Sequence, residues 1–381
     1  MGRPLSRNIV ILSWVSFFQD AATEMLFPVL PLFIVGVLGA PVAVVGLVEG
    51  LAEGVNSLMK GVAGRLSDRL PRRPLVAAGY ATSATAKALI ALATTWPFVL
   101  FCRVLDRVGK GVRTAPRDAL ISAAAAQEAR GGAFGFHRAM DDLGAVAGPL
   151  AGLALFEALH HQLRPLFVIA VIPAFLSVAL IGLVREPARP AGFSRPSGAA
   201  WAYPRAYWIV LATLTIFGLL SFSSALIIVR IREMGFSSVQ IFLAYALFNL
   251  CSSLFSYPAG RLSDRVPRRV VFAAGLGALA LAFLGFAAAR AAIWGWMLFA
   301  LYGVFVALTD GVGTAWVADL VPAERAGGAL GLYHAAVGLA ALVAGIWAGL
   351  LWGSDGHVPF AISGCGAAVL AVALFVTGRR P

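Results

Sequence analysis

A short basic motif that occurs twice constrains the fold of this chain of 381 residues. Residues 64–74 read Gly-Arg-Leu-Ser-Asp-Arg-Leu-Pro-Arg-Arg-Pro, and residues 260–270 read Gly-Arg-Leu-Ser-Asp-Arg-Val-Pro-Arg-Arg-Val. The same spacing of 196 residues relates Gly39 to Gly235 and Glu128 to Glu324. Because the correspondence runs through both halves, the sequence predicts two copies of one structural unit.

Long apolar segments separate the polar motifs. Hydrophobic residues make up 60% of the chain and charged residues only 13%, which is far from the composition of a soluble domain. A helix needs about 20 apolar residues to cross a bilayer. We therefore expect an all-α protein that lies in a lipid bilayer. Its twelve transmembrane helices are predicted at 9–37, 41–63, 74–95, 97–119, 131–157, 164–184, 205–229, 237–259, 269–289, 292–317, 327–352 and 358–377.

The basic residues are distributed as in a membrane protein. In a soluble protein, a net charge of +12 would point to nucleic acid. Twelve helices that start from a cytoplasmic N-terminus place most arginines, including both motif copies, on the cytoplasmic side. They leave on the opposite side Arg164, Arg230, Arg232 and Arg290. This asymmetry follows the positive-inside rule, so we expect a multi-pass protein of the cytoplasmic (inner) membrane, with both termini cytoplasmic and no nucleic-acid partner.

A polar, proline-rich stretch divides the two halves. It contains Pro187, Pro190, Pro196 and Pro204, as a linker between domains would. The predicted domains are an N-terminal six-helix bundle at 1–184, a cytoplasmic linker at 185–204 and a C-terminal six-helix bundle at 205–381.

Ionisable residues are concentrated in the predicted helices of the first half. A charged side chain at the bilayer centre costs about 2.5–3.5 kcal/mol even on the lower insertion scales, so it should face a partner or a water-filled cavity. The candidates for proton coupling and for lining a substrate cavity are Asp20, Glu24, Glu49, Glu53, Arg103, Asp106, Arg107, Lys110, Arg138, Asp141 and Asp142.

The second half repeats the hydropathy pattern with most of these charges removed. At the 196-residue spacing, Asp20 becomes Ile216 and Asp106 becomes Tyr302. Asp310 alone remains as a carboxylate well inside a second-half helix, and it joins the cavity candidates. The sequence therefore predicts that ionic chemistry belongs mainly to the first half.

Both motif copies resemble the signature of the major facilitator superfamily, Gly-x-Leu-Ser/Ala-Asp-Arg-x-Gly-Arg-Arg, although Pro71 and Pro267 stand where the family has glycine. The resemblance implies two six-helix bundles around a central cavity, with alternating access by rocking of the halves. It also implies that the motif residues help to latch a cytoplasmic gate. These gating candidates are Asp68, Arg69, Arg72, Asp264, Arg265 and Arg268. The alternative is that the arginines only set the topology.

Small residues in the fifth helix resemble a motif of drug/proton antiporters. They are Gly144, Gly148, Pro149 and Gly152. The resemblance implies export. Small residues also permit close helix contact, so packing alone is the alternative explanation for this spacing.

We predict a proton-coupled secondary transporter that moves a small organic solute by alternating access, as a monomeric exporter that works by antiport. No GxxxxGK[ST] loop occurs, so nothing indicates ATP as the energy source. Proton coupling needs a carboxylate that gains and loses a proton as its surroundings change. Asp20 and Glu24 are favoured because the first helix of such folds lines the cavity. The alternative is that the acids neutralise nearby cations in buried ion pairs.

Other functions are compatible with parts of the pattern. Arg103, Arg107 and Arg138 could grip a phosphate or carboxylate, since guanidinium groups bind such anions bidentately, and the substrate would then be an organic anion. A membrane enzyme would use histidines as bases or metal ligands, but no HExxH motif occurs. A non-transporting sensor would predict no solute flux. We expect no catalytic residue, no cofactor and no bound metal.

Overall fold

The computed structural model is built of α-helices joined by short turns. It describes residues 6–67, 70–125, 130–186, 203–321 and 323–377, and these ranges contain no strand. Asp68 and Arg69 of the first motif copy, and residues 187–202 of the predicted linker, lie outside the described residues.

The helical stretches follow the order of the twelve predicted segments. In the first half they are α1 (Arg7–Leu26, continued by Leu30–Leu32 and a π-helical turn at Phe33–Val37), α2 (Val42–Ser67), α3 (Arg72–Ile90), α4 (Trp96–Ala124), α5 (Arg130–Ala158) and α6 (Leu163–Ile169 and Val171–Ile181). In the second half they are α7 (Arg205–Leu220 and Ser224–Glu233), α8 (Ser238–Ser263), α9 (Arg268–Ala288), α10 (Ala292–Ala318), α11 (Ala323–Leu350) and α12 (His357–Thr377).

Several of these helices are interrupted or longer than predicted. The α1 stretch breaks near Pro28 and Pro31, because proline cannot donate the backbone hydrogen bond of a helix interior. In α7, Ser223 caps a restarted helix by accepting a hydrogen bond from the Ala225 N–H (3.2 Å). Two helices continue beyond the predicted membrane spans, α2 to Ser67 and α4 to Ala124.

Ten of the described helical stretches are long and apolar enough to cross a membrane. The remaining two, α3 and α4, carry more polar side chains, among them Lys87 in α3 and Arg103 in α4. The structure is therefore that of an all-α, multi-pass membrane protein and is consistent with twelve spans.

The chain divides into two compact units. The first contains residues 1–30 and 55–197, and the second contains residues 31–54 and 198–381. In the first unit α3 packs against α4 and α1 packs against α5. In the second unit α9 packs against α10 and α7 packs against α11, so corresponding helices make corresponding contacts.

The duplication extends to individual contacts. A Cβ atom on Gly79 would lie 2.7 Å from the Cβ of Arg113, and one on Gly275 would lie 2.6 Å from the Cγ2 of Thr309. Both members of the second pair lie 196 residues after those of the first. The repeat in the sequence is thus a repeat in packing between the third and fourth helices of each half.

The prolines that depart from the family motif occupy equivalent positions at helix starts. Pro71 directly precedes α3, and Pro267 directly precedes α9. Proline suits this position because its φ is fixed and the first backbone N–H groups of a helix have no intrahelical partner. In both copies the proline therefore starts the helix that follows the basic turn.

Two glycines of the fifth-helix motif bring α5 into backbone contact with α1. A Cβ on Gly144 would lie 2.6 Å from the Phe17 carbonyl oxygen, and one on Gly148 would lie 2.7 Å from the Ala21 carbonyl oxygen. Pro149 is buried within α5, and Gly152 is also buried. Small residues thus set the distance between these two helices, as small-residue motifs do in membranes.

Replacing Gly148 by alanine should destabilise the protein by about 1–3 kcal/mol, because the added methyl group overpacks the α1–α5 contact. Thermal unfolding of the purified protein in detergent measures this effect. Gly277→Ala is the matched control, since nothing lies within 4 Å of a Cβ at Gly277. Equal melting temperatures for the two variants would contradict the close contact.

Candidate functional site

Three charged side chains form a buried ion triad between α3 and α4. The Nζ atom of Lys87 lies 2.8 Å from Oδ1 of Asp106, and the guanidinium of Arg103 lies 3.6 Å from Oδ2 of Asp106. Each of the three residues is at most 4% exposed. Both carboxylate oxygens of Asp106 therefore face a cation. This is the arrangement expected if Asp106 neutralises buried cations, which is the alternative to proton coupling that the sequence leaves open.

A second layer of contacts continues from the ion triad along α4. Ser83 Oγ donates to the backbone carbonyl of Asp106 (3.0 Å) and accepts a hydrogen bond from Arg113 Nη1 (2.6 Å). The guanidinium of Arg113 stacks over the ring of Tyr80, 4.3 Å from its centroid, in cation–π geometry. Arg113 is therefore held by side chains of α3.

A polar node joins α1, α4 and α5, and consists of Ser16, Arg117, Asp118, His137 and Asp141. Arg117 donates to Ser16 Oγ (3.1 Å) and pairs with Asp118 Oδ1 (3.0 Å). Ser16 Oγ lies 3.5 Å from Nε2 of His137, which is only 4% exposed. In the described part of the chain, His137 Nδ1 and Asp141 Oδ1 have no hydrogen-bond partner. Buried polar atoms without partners are uncommon and call for an explanation.

Asp20 lies next to this node on α1. The charged groups that act on its carboxylate are Asp141, Lys110, Arg113 and Glu24. Among the described residues, no salt bridge or hydrogen bond reaches the Asp20 carboxylate. The glycine contact brings Phe17 and Ala21, which flank Asp20 on α1, against Gly144, which lies three residues after Asp141 on α5. Two adjacent carboxylates repel each other when both are ionised, and one shared proton removes that repulsion.

The other predicted first-half residues are more dispersed. Asp142 pairs with the exposed Arg138 across one helical turn (3.6 Å). Glu49 and Arg107 are buried. Those that are partly buried are Glu24, Glu53 and Lys110. The structure therefore groups Arg103 with Asp106, Asp20 with Asp141 and Lys110, and Arg138 with Asp142.

In the second unit, an aromatic triad occupies the positions that correspond to the buried ion triad. Phe283, Phe299 and Tyr302 lie 196 residues after Lys87, Arg103 and Asp106. The ring centroids of Phe283 and Tyr302 are 5.8 Å apart, and those of Phe299 and Tyr302 are 6.3 Å apart. Asp310 lies on α10 of this unit and is exposed.

The second motif copy ties the turn between α8 and α9 to α10 through Arg268. Its guanidinium donates to Ser263 Oγ (3.0 Å), lies 3.6 Å from Asp264 Oδ1 and pairs with Asp319 just after α10. Arg265 is exposed. In the first copy, Arg72 Nη1 lies 3.5 Å from the Ala119 carbonyl of α4, so equivalent arginines reach equivalent helices.

The start of α3 is also held to the end of α6. The carboxylate of Glu186 accepts the backbone N–H groups of Arg72 (2.9 Å) and Arg73 (2.7 Å). The Arg73 guanidinium donates to the Gly182 carbonyl (2.7 Å). A carboxylate at this position stabilises the first turn of a helix.

Two histidines occupy equivalent turns after α5 and before α12. His161 Nε2 lies 3.1 Å from Glu157, and His357 Nδ1 lies 2.7 Å from Asp355. The hydrogen bond with His357 lowers the pKa of Asp355. All four side chains are exposed, and the described residues contain no group of ligands that could hold a metal ion.

The sequence places Arg117 among basic residues of α4 at helical spacing and offers His137 as a base or metal ligand of a membrane enzyme, but neither of them, nor Glu186, was predicted as a transport-site residue. Helical spacing also relates His137 to Asp141, four residues later. Glu186 carries no such signal, since its contact with α3 depends on how the chain leaves α6.

Apolar helices that enclose buried charges define a multi-pass membrane transporter. The profile of the Major Facilitator Superfamily matches residues 12–248 and 209–381. The chain belongs to this superfamily. It is therefore a transporter of a small-molecule solute and not an enzyme.

Known proteins resemble the chain along most of its length. Over 361 residues it is 33% identical to an uncharacterised MFS-type transporter of Methanocaldococcus jannaschii, covering 92% of this chain and 89% of the relative. Over 249 residues it is 28% identical to the multidrug resistance protein MdtH of Photorhabdus laumondii, covering 63% of this chain and 60% of that protein. The crystal structure of the nucleoside transporter NupG superposes with a TM-score of 0.80, 16% identity and coverage of 98% and 100%, which shows a common fold.

Asp106→Asn should destabilise the protein by about 3–5 kcal/mol, because it leaves Lys87 and Arg103 buried beside a neutral side chain. The double variant Lys87→Met/Asp106→Asn should recover part of this loss, since it also removes one of the two cations. Thermal unfolding of the single and double variants measures the coupling. Additive effects of the two changes would show that the Lys87–Asp106 pair is not an energetic unit.

Proposed function

We propose that the protein is a proton-coupled secondary transporter that exports a small organic solute by antiport, and that Asp20 and Asp141 carry the proton. The observation that carries this proposal is that the carboxylates of Asp106 and Asp20 differ in their ion-pair partners. Asp106 has a cation at each oxygen. Asp20 lies beside Asp141 with no salt bridge in the described part of the chain.

The proposed proton cycle uses the repulsion between these two carboxylates. One proton, taken from water on one side of the membrane, binds between Asp20 and Asp141 and reduces their negative charge. When water reaches the pair from the other side, the proton leaves to that water and both groups ionise. Solute binding and release would alternate with these two states.

The polar node is the proposed route between the carboxylate pair and the adjacent helix ends. Ser16 and His137 can each accept and donate a proton, and Asp141 interacts with Arg117 and His137. Within the described residues, the buried Nδ1 of His137 has no hydrogen-bond partner, and a water molecule or a moving proton would satisfy it. The node therefore supports a relay through α5.

We place the protein in the cytoplasmic membrane as a monomer, with both termini and both basic turns on the cytoplasmic side. The clustering of arginines in the turns supports this orientation. We assign the motif residues Asp68, Arg69, Arg72, Asp264, Arg265 and Arg268 to a cytoplasmic gate. The ties from Arg268 to Asp264 and Asp319 support that role, because ion pairs at the water boundary can break and re-form as helices move.

Export is supported by two likenesses. The relative MdtH is named as a multidrug resistance protein, and the α5 motif resembles that of drug/proton antiporters. The competing organic-anion hypothesis has less support, since Arg103 has Asp106 as a partner and Arg138 has Asp142. These pairs would have to break before either arginine could hold a substrate anion.

Asp20→Asn and Asp141→Asn should each abolish proton movement driven by solute, because an amide cannot carry the proton. The assay uses proteoliposomes that contain a pH-sensitive dye, an imposed pH gradient and a panel of organic cations, anions and neutral compounds. Any solute that moves protons through the unmodified protein is then tested on the variants.

Glu157→Gln is the matched control, since Glu157 lies on the same helix and is exposed. It should keep full coupling. Normal coupling in both Asp20→Asn and Asp141→Asn would refute the proton site. A response of the unmodified protein to anions alone would favour the organic-anion hypothesis.

A further inference from the structure

An exposed carboxylate interrupts the apolar surface of α10. Asp310 lies eight residues before the end of this helix at Ala318, or about 12 Å along the helix axis at 1.5 Å per residue. Its side chain is exposed although the helix is long and apolar enough to span a membrane. A charge at this depth is too costly to face lipid, so Asp310 faces protein or water.

Among the described residues, no cation neutralises the carboxylate of Asp310. In the described part of the chain, no salt bridge reaches it and no side chain donates a hydrogen bond to it. The Thr314 hydroxyl donates to the backbone carbonyl of Asp310 (3.2 Å) and leaves the carboxylate oxygens available. An ionised group in this position is suited to a cation that arrives from outside the protein.

The surroundings of Asp310 have room for an apolar body. Gly311 is exposed, and nothing lies within 4 Å of a Cβ built on it. On α11, Tyr333 faces α10, since its hydroxyl lies 3.2 Å from a Cβ built on Gly313. The Asp310 carboxylate acts electrostatically on this hydroxyl. The site thus combines one negative charge, one hydroxyl group and an open glycine surface.

Several aromatic rings of the second unit lie near this site. The Tyr333 ring lies 4.9 Å from the ring of His334. Behind it, Phe272 contacts Phe217 (centroids 5.3 Å apart) and Trp316 (5.9 Å). Aromatic faces attract organic cations through cation–π interactions and also contact apolar groups.

We propose that Asp310 and Tyr333 form the recognition site for an organic cation with an apolar or aromatic body. The cation pairs with the Asp310 carboxylate, and its body lies against the Tyr333 ring. This proposal rests on the proposed function, because it assigns the substrate class of the transporter. An organic anion is repelled here. A metal ion is not favoured either, since no group of metal ligands occurs among the described residues.

Two probe ions of equal size and opposite charge test this site. Tetraphenylphosphonium is a cation and tetraphenylborate is an anion of nearly the same shape. Binding to the detergent-purified protein is measured by calorimetry at one fixed pH for both probes. No gradient is present, so the result does not depend on whether transport is coupled to protons.

We expect the unmodified protein to bind tetraphenylphosphonium more tightly than tetraphenylborate. Asp310→Asn should weaken binding of the cation by about tenfold or more and leave binding of the anion unchanged or stronger. Asp310→Glu should retain most of the cation binding. Asp355→Asn is the matched control, because Asp355 is an exposed carboxylate of the same unit in the turn before α12, and it should bind both probes like the unmodified protein.

Three outcomes would overturn the proposal. They are equal binding of the two ions, tighter binding of the anion, and cation binding that Asp310→Asn leaves intact. If Asp310→Asn abolishes proton movement in proteoliposomes and leaves cation binding unchanged, Asp310 is a proton site and not a substrate site. Loss of cation binding in Asp310→Asn, with cation binding retained in Asp20→Asn and Asp141→Asn, would support this proposal and leave the proposed proton site to its own test.

Discussion

The cost of holding charge inside a membrane is the constraint on which the first unit depends. Lys87, Arg103 and Asp106 are all buried, and none of them would be stable there without the others. The ion triad joins α3 to α4, and Ser83 and Arg113 extend the same junction along α4. This neutralisation limits which charges are free for transport, because Arg103, Arg113 and Arg117 of α4 already have partners within the unit.

The second unit has aromatic side chains at the positions that correspond to the ion triad. Where the first unit has Asp106, the second has Tyr302, which packs between Phe283 and Phe299. Replacement of a buried ion pair by apolar side chains of similar size is often neutral or stabilising. The duplicated fold is therefore compatible with either solution. At these three positions the two halves thus differ, with ion pairs in the first unit and aromatic packing in the second.

The sequence predicted the repeat, the helical class and the order of the helices, because each depends on local composition and a fixed spacing. It also predicted that Asp20 and Asp141 were candidates, but not that they are neighbours, since their proximity depends on the contact of Gly144 with α1. The burial of Lys87 against Asp106 was equally inaccessible, because charge patterns on two helices do not fix which side chains meet.

The proposed proton site and the packing of the first unit depend on the same residues. Gly144 and Gly148 remove the side chains that would separate α5 from α1, and this close approach is what brings the carboxylates of Asp20 and Asp141 together. Electrostatic repulsion between the two acids opposes the contact, whereas helix packing favours it. Proton binding would relieve the repulsion, so the protonation state of the pair and the separation of the two helices are energetically linked. Such linkage lets a change of one charge favour one arrangement of α1 and α5 over another.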